Sequence, residues 1–120
     1  MRSYTDLKQS QTIAEILPHD TADQTWERII IAGANFGIPE EKQYRHNGDM
    51  PFNFYSGIGV PCWSLTALLG IIPDVSLNGF MDGKWNAMVQ RDGKMIYVDK
   101  NNPIDACFEL ILKLYELKLL

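Results

Sequence analysis

The most legible hydrophobic pattern lies near the C-terminal end of the chain. Ile104, Cys107, Phe108, Ile111, Leu114 and Tyr115 recur at helical spacing, with Asp105, Glu109, Lys113 and Glu116 on a second, polar stripe. Asn102 is a good N-cap, Pro103 suits the first helical position, and Asp105 sets a negative charge at the positive end of the helix dipole. The spacing predicts a helix over 103–117, with Glu109 and Lys113 in the favourable order for an ion pair. Leu110, Leu112 and Leu117 widen its apolar surface beyond what one sheet face covers. The helix therefore packs on two elements or contributes to a dimer interface.

Upstream the period changes from helical to alternating. Asp82-Gly83 and Asp92-Gly93 have the composition of two-residue hairpin turns. A turn between Arg91 and Lys94 sets Val89 opposite Ile96 and Ala87 opposite Val98, and Trp85 continues that apolar face. Met88 and Tyr97 share the other face, which is only partly polar. The first turn would set Phe80 opposite Trp85. These registers predict a three-stranded antiparallel meander over 75–81, 84–90 and 95–99. Before it, 61–72 reads as a buried helix, with Pro61 in its first turn, Pro73 beyond its end, and Ser64 and Thr66 as its clearly polar side chains.

The N-terminal half carries weaker signals. Thr5 as a cap, Asp6 in the first turn, and Leu7, Ile13, Ile16 and Leu17 on one stripe predict a helix over 5–17 that Pro18 ends. The turn-forming run from His19 to Asp23 is expected to open a second short helix through Trp26. Residues 28–32 suit a strand, with a helix as the open alternative. Residues 33–48 read as a polar, mobile loop and 51–55 as a further strand. The expected fold is α+β: a small antiparallel β-meander packed against two apolar helices, plus an N-terminal helix, in a single domain over 1–120.

Length and composition fit one core: 120 residues, 46% apolar and 22% charged. Eleven basic against fifteen acidic residues give a net charge of −4. That leaves no basic face for phosphate contacts, so direct nucleic-acid binding is not expected. Residues 50–73 carry no charge, but Pro51, Asn53, Ser56, Gly57, Gly59 and Pro61 interrupt them, which favours a core helix over a membrane span. The N-terminus opens into a polar stretch rather than a secretory signal, so Cys62 and Cys107 are expected as reduced thiols in a cytoplasmic protein.

Cys62 is the candidate nucleophile, because a place at a helix N-terminus would favour its thiolate. The available bases are His19 and His46. Cys107 falls on the core stripe. His19 with Asp20 and Asp23 is too weak a cluster for a metal site, and capping explains it more simply. Gly57-Ile58-Gly59 lacks the third glycine of a dinucleotide loop, so neither metal nor cofactor is expected. Trp63 and Trp85 read as core. Trp26 is more open and, with Phe52, Phe54 and Tyr55, is a candidate for lining a partner-binding groove; Leu110, Leu112 and Leu117 are the other candidates for partner contact.

Three blocks together resemble a known group of proteins. They are Pro61-Cys62-Trp63-Ser64-Leu65 with Ala67-Leu68-Leu69 and Pro73; Asn102-Pro103-Ile104-Asp105-Ala106-Cys107-Phe108-Glu109-Leu110 with the ending Leu117-Lys118-Leu119-Leu120; and Thr21-Ala22-Asp23. The group comprises short uncharacterised proteins of phages, prophages and conjugative elements of gut bacteria. The resemblance implies a cytoplasmic accessory protein of a mobile element and carries over no catalytic residues. The leading expectation is a non-enzymatic protein acting through an unknown protein partner or as a homodimer. The alternative is a small thiol-dependent enzyme using Cys62.

Overall fold

The computed structural model describes residues 2–29, 37–48 and 59–120. Its fold is α+β, with three α-helices and two three-stranded antiparallel sheets among the described residues. The chain divides into two compact units, Met1–Thr5 with Ser64–Leu120, and Asp6–Trp63.

The meander unit follows its local signals closely. Strands β4 (Ser76–Gly79), β5 (Trp85–Arg91) and β6 (Lys94–Lys100) pair in that order. Asp92 and Gly93 both have positive φ, the mirror-image turn that matches strand twist. Arg91 pairs with Lys94, Val89 with Ile96, Ala87 with Val98 and Met88 with Tyr97, the register the alternation predicts.

The first turn differs by one residue. Gly79, not Phe80, stands opposite Trp85. Phe80 N–H donates to Lys84 C=O at 2.8 Å, and Asp82 Oδ1 accepts from Lys84 N–H at 3.0 Å, so the loop holds three residues. A side chain at 79 would begin 3.0 Å from the Trp85 ring, which is why glycine suits the position. Phe80 and Met81 are consequently exposed.

Helix α3 (Pro103–Glu116) begins as expected, with Asn102 Oδ1 accepting from Asp105 N–H at 2.9 Å and proline in the first turn. It ends with Leu119 N–H reaching Leu114 C=O and Lys118 N–H reaching Tyr115 C=O, with Lys118 in the left-handed region at φ 59°. The helix packs on β5, β6 and α2 (Leu65–Ile71). Its wide apolar surface thus serves two neighbours, which is the first of the two outcomes that surface allowed. Tyr115, expected in the core stripe, is exposed.

Helix α2 is shorter than expected. Ser64 caps it, with Oγ accepting from Ala67 N–H at 3.1 Å. Pro61 and Cys62 lie in a strand before it rather than in its first turn. Leu68 is its fully buried side chain, with Ile72 buried at its C-cap, so the helix, though largely apolar, is not buried on all sides. Arg91 clasps Asp74 with both terminal nitrogens and donates from Nε to Leu119 C=O at 3.2 Å. The Arg91 hydrogen bond holds the Asp74 carboxyl below its ordinary pKa.

The second unit departs further from local expectation. Helix α1 (Leu7–Ala14) is capped by Asp6 rather than Thr5: Asp6 Oδ1 accepts from Gln9 N–H and Gln9 Oε1 from Asp6 N–H. The segment read as a second helix is a short 3₁₀ turn, His19–Thr21, followed by strand β1 (Gln24–Arg28). Within the stretch read as a loop, β2 (Tyr44–Asn47) pairs with β1. Strand β3 (Gly59–Cys62) pairs on the other side, giving the order β2-β1-β3, and α1 packs on β3. The strand expected at 51–55 and residues 30–36 of the central stretch lie outside the described residues.

Candidate functional site

The strand ladder of the second unit brings two of the candidate catalytic residues to one side chain. Gln24 pairs with Cys62 on one flank, and Trp26 pairs with His46 on the other. Antiparallel partners and residues two apart share a sheet face, so Cys62, Gln24, Trp26 and His46 lie together. Gln24 Oε1 accepts from His46 Nε2 at 2.7 Å and faces Cys62 Sγ at 4.0 Å. An amide oxygen only accepts, so His46 carries its proton on Nε2 in this bond. The Trp26 ring meets the His46 ring edge-on at 5.6 Å.

This arrangement changes the chemistry expected of Cys62. The residue ends a strand instead of opening a helix, so the dipole that was to activate its thiolate is not there. Its exposure is 0%, and the Gln24 carbonyl oxygen presents no basic nitrogen to the sulfur. His19 is elsewhere: its Nε2 lies 2.8 Å from Ala14 C=O on an exposed turn. Asp20 and Thr21 belong to that turn, and Thr21 Oγ donates to Pro18 C=O while accepting from the buried Trp63 indole N–H at 2.9 Å.

Cys107 is also fully buried, and the two cysteines form no disulfide. Burial pushes the Cys107 thiol up to about 11. At pH 7 a chromogenic disulfide reagent should therefore modify both thiols of the folded protein far more slowly than a small free thiol, and release two equivalents once urea is added. Rapid stoichiometric labelling of Cys62 without urea would restore the thiol-enzyme reading.

The opposite face of the same sheet carries a polar cluster that sequence reading did not single out. Glu27 Oε2 accepts from Arg45 Nε and Nη2 at 3.1 and 3.0 Å and from Asn47 Nδ2 at 3.1 Å. It is a cross-strand network of β1 and β2, spent on itself. Among the described residues, no group of three or more His, Cys, Asp or Glu side chains is placed to hold a metal ion. No helix among them is long and apolar enough to cross a membrane.

The candidate partner-contact residues separate by exposure. Leu110 is fully buried, which removes it from any contact surface; Leu112 is half-buried and Leu117 about half exposed. Trp26 is half-buried, and Phe52, Phe54 and Tyr55 lie outside the described residues. Further exposed apolar side chains lie on the meander unit. Met88, Met95 and Tyr97 share the outer sheet face, away from the Ala87, Val89 and Ile96 face that the core buries. Met95 and Tyr97 are 58% and 54% exposed; Phe80 and Met81 are exposed separately at the first turn, beyond the polar Asn86–Asp99 pair of the same face.

On the side of β6 away from β5 runs an open groove of about 460 Å³ between that strand and α3. Its lining carries both signs of charge, Asp99, Glu109 and Glu116 beside Lys100 and Lys113. Lys113 does not pair with Glu109; its Nζ reaches Tyr97 C=O at 3.5 Å and lies 5.9 Å from the Tyr97 ring centre. Alternation would have shown the outer sheet face. The groove depends on how α3 lies along β6, which spacing alone does not encode. No family model, curated protein or solved structure matches the chain.

Proposed function

We propose that the chain is a small, non-enzymatic, cytoplasmic accessory protein of a mobile genetic element that works by protein–protein association, with another protein or a second copy of itself. The observation that carries this reading is the exposed apolar side of the β5–β6 hairpin, where Met95 and Tyr97 are each more than half exposed beside Met88. Contiguous apolar surface of this kind is characteristically an interaction surface. The resemblance to short proteins of phages and conjugative elements supplies the mobile-element setting. The burial of Cys62 weighs against the thiol-dependent alternative.

A photo-reactive benzoyl-phenylalanine in place of Tyr97 tests the proposal in cells that make the protein. Irradiation should give a discrete adduct, whose mass distinguishes a second copy from another protein. The same group in place of Lys8, an exposed residue of α1, should give none. No adduct at position 97, or the same adducts at both positions, would overturn the reading.

A further inference from the structure

We infer that residues 6–63 are a separately folding insertion in the meander unit, and that each of the two units opens while the other stays folded. The β5–β6 hairpin, with the exposed Met95 and Tyr97, therefore keeps its form when the insertion is open. This goes beyond the proposed function and stands or falls without it.

The chain crosses between the units twice, after Thr5 and after Trp63. On the meander side the two crossings are fastened to each other. Tyr4 and Ser64 form an antiparallel bridge, and Ser3 C=O accepts from Leu65 N–H at 3.1 Å. Arg2 donates from Nε to Tyr4 C=O at 2.7 Å and from Nη2 to Asp105 Oδ1 at 3.2 Å, which ties the same short segment to the first turn of α3. On the other side of each crossing the bonds turn inward to the insertion. Asp6 closes the capping box of α1, and the Trp63 indole N–H donates to Thr21 Oγ. The insertion thus leaves and re-enters the meander unit at one place, and unfolding it does not pull residues 2–4 from Ser64 and Leu65. Adjacent ends of this kind are what lets one domain be inserted in another.

The packing divides in the same way. Helix α3 packs on α2, β5 and β6, and β4 pairs with β5, all within the meander unit. Helix α1 packs on β3, and β1 pairs with β2 and β3, all within the insertion. Each set encloses fully buried side chains of its own, Leu110 and Ile111 in the first and Ile13 and Trp63 in the second. Cooperative opening follows contiguous packing, so two internally packed sets of elements open as two.

Each unit also holds one fully buried cysteine, Cys62 in the insertion and Cys107 in α3, so alkylation reports both openings in the whole protein. Two substitutions load the units separately. Gly59→Ala sets a Cβ 2.6 Å from Trp26 C=O and 2.9 Å from Thr25 Oγ1, while Leu110→Ala empties a core site of α3. In urea below the unfolding transition, Gly59→Ala should speed iodoacetamide modification of Cys62 at least tenfold and leave Cys107 within twofold of wild type. Amide exchange should rise across α1, β1 and β2 and stay within twofold across β5 and β6. Leu110→Ala should do the reverse for both thiols and both sets of amides. Parallel acceleration of Cys62 and Cys107 in either variant would mean one cooperative core and overturns the inference. A rise confined to β3 in Gly59→Ala would mean fraying of that strand alone, and overturns it as well.

Discussion

Leu110→Ala should destabilise the protein by about 3 kcal/mol, within the range of about 2–5 kcal/mol for removing a buried leucine side chain. The side chain is fully buried on a helix that packs on β5, β6 and α2. Truncation would leave a cavity that a helix held on two sides closes only in part. Leu112→Ala, two residues on and half-buried at the groove, should cost less than about 1 kcal/mol. Urea denaturation of both variants, followed by far-ultraviolet circular dichroism, makes the comparison. The contrast separates two leucines that both lie beside the core stripe of the helix. A cost below about 1 kcal/mol for Leu110→Ala would contradict its place in the core.

Leu110 also marks where the sequence stops being sufficient. The limits of α3 and the β5–β6 register were legible because every local signal agrees: Asn102 and Pro103 at the helix start, the positive-φ pair Asp92-Gly93, and alternation on both sides of it. Which side of α3 meets α2 was not legible, because that depends on an element distant in sequence. At the first turn a local detail decided the matter. The Asp82 side chain accepts from Lys84 N–H, the loop takes a third residue, and the register shifts so that Gly79 lies under the Trp85 ring.

The second unit was mostly illegible for a different reason. Its strands are four or five residues long and come from widely separated stretches, so pairing rather than local period defines them. Pro61 is compatible with a helix start and also with an edge strand, and here it lies in β3 at the edge of the sheet. Gly59 was read as flexibility before a helix. Its role is close approach: a Cβ there would fall 2.6 Å from Trp26 C=O. Cys62 and His46 were named from their chemistry alone. Gln24, the residue that joins them, was hidden because its segment was read as a helix, although Thr25 and Trp26 favour a strand.

Cys107 supplies a prediction at alkaline pH. Its thiol is pushed up to about 11 from 9.0 because burial opposes the thiolate. The unfolded chain therefore releases this proton first as pH rises. The stability contribution is fully present below about pH 9 and is lost progressively as pH climbs through the folded value near 11. The difference between the two values corresponds to about 2.7 kcal/mol. Unfolding free energies of the wild-type protein and Cys107→Ala, measured by urea titration at pH 8 and pH 11, isolate this contribution, since the variant lacks that thiol alone. The wild type should lose about 2–3 kcal/mol more than the variant between the two conditions. Parallel losses would mean that solvent reaches the Cys107 sulfur in the folded state, and that the α3 core around it is looser than its complete burial implies.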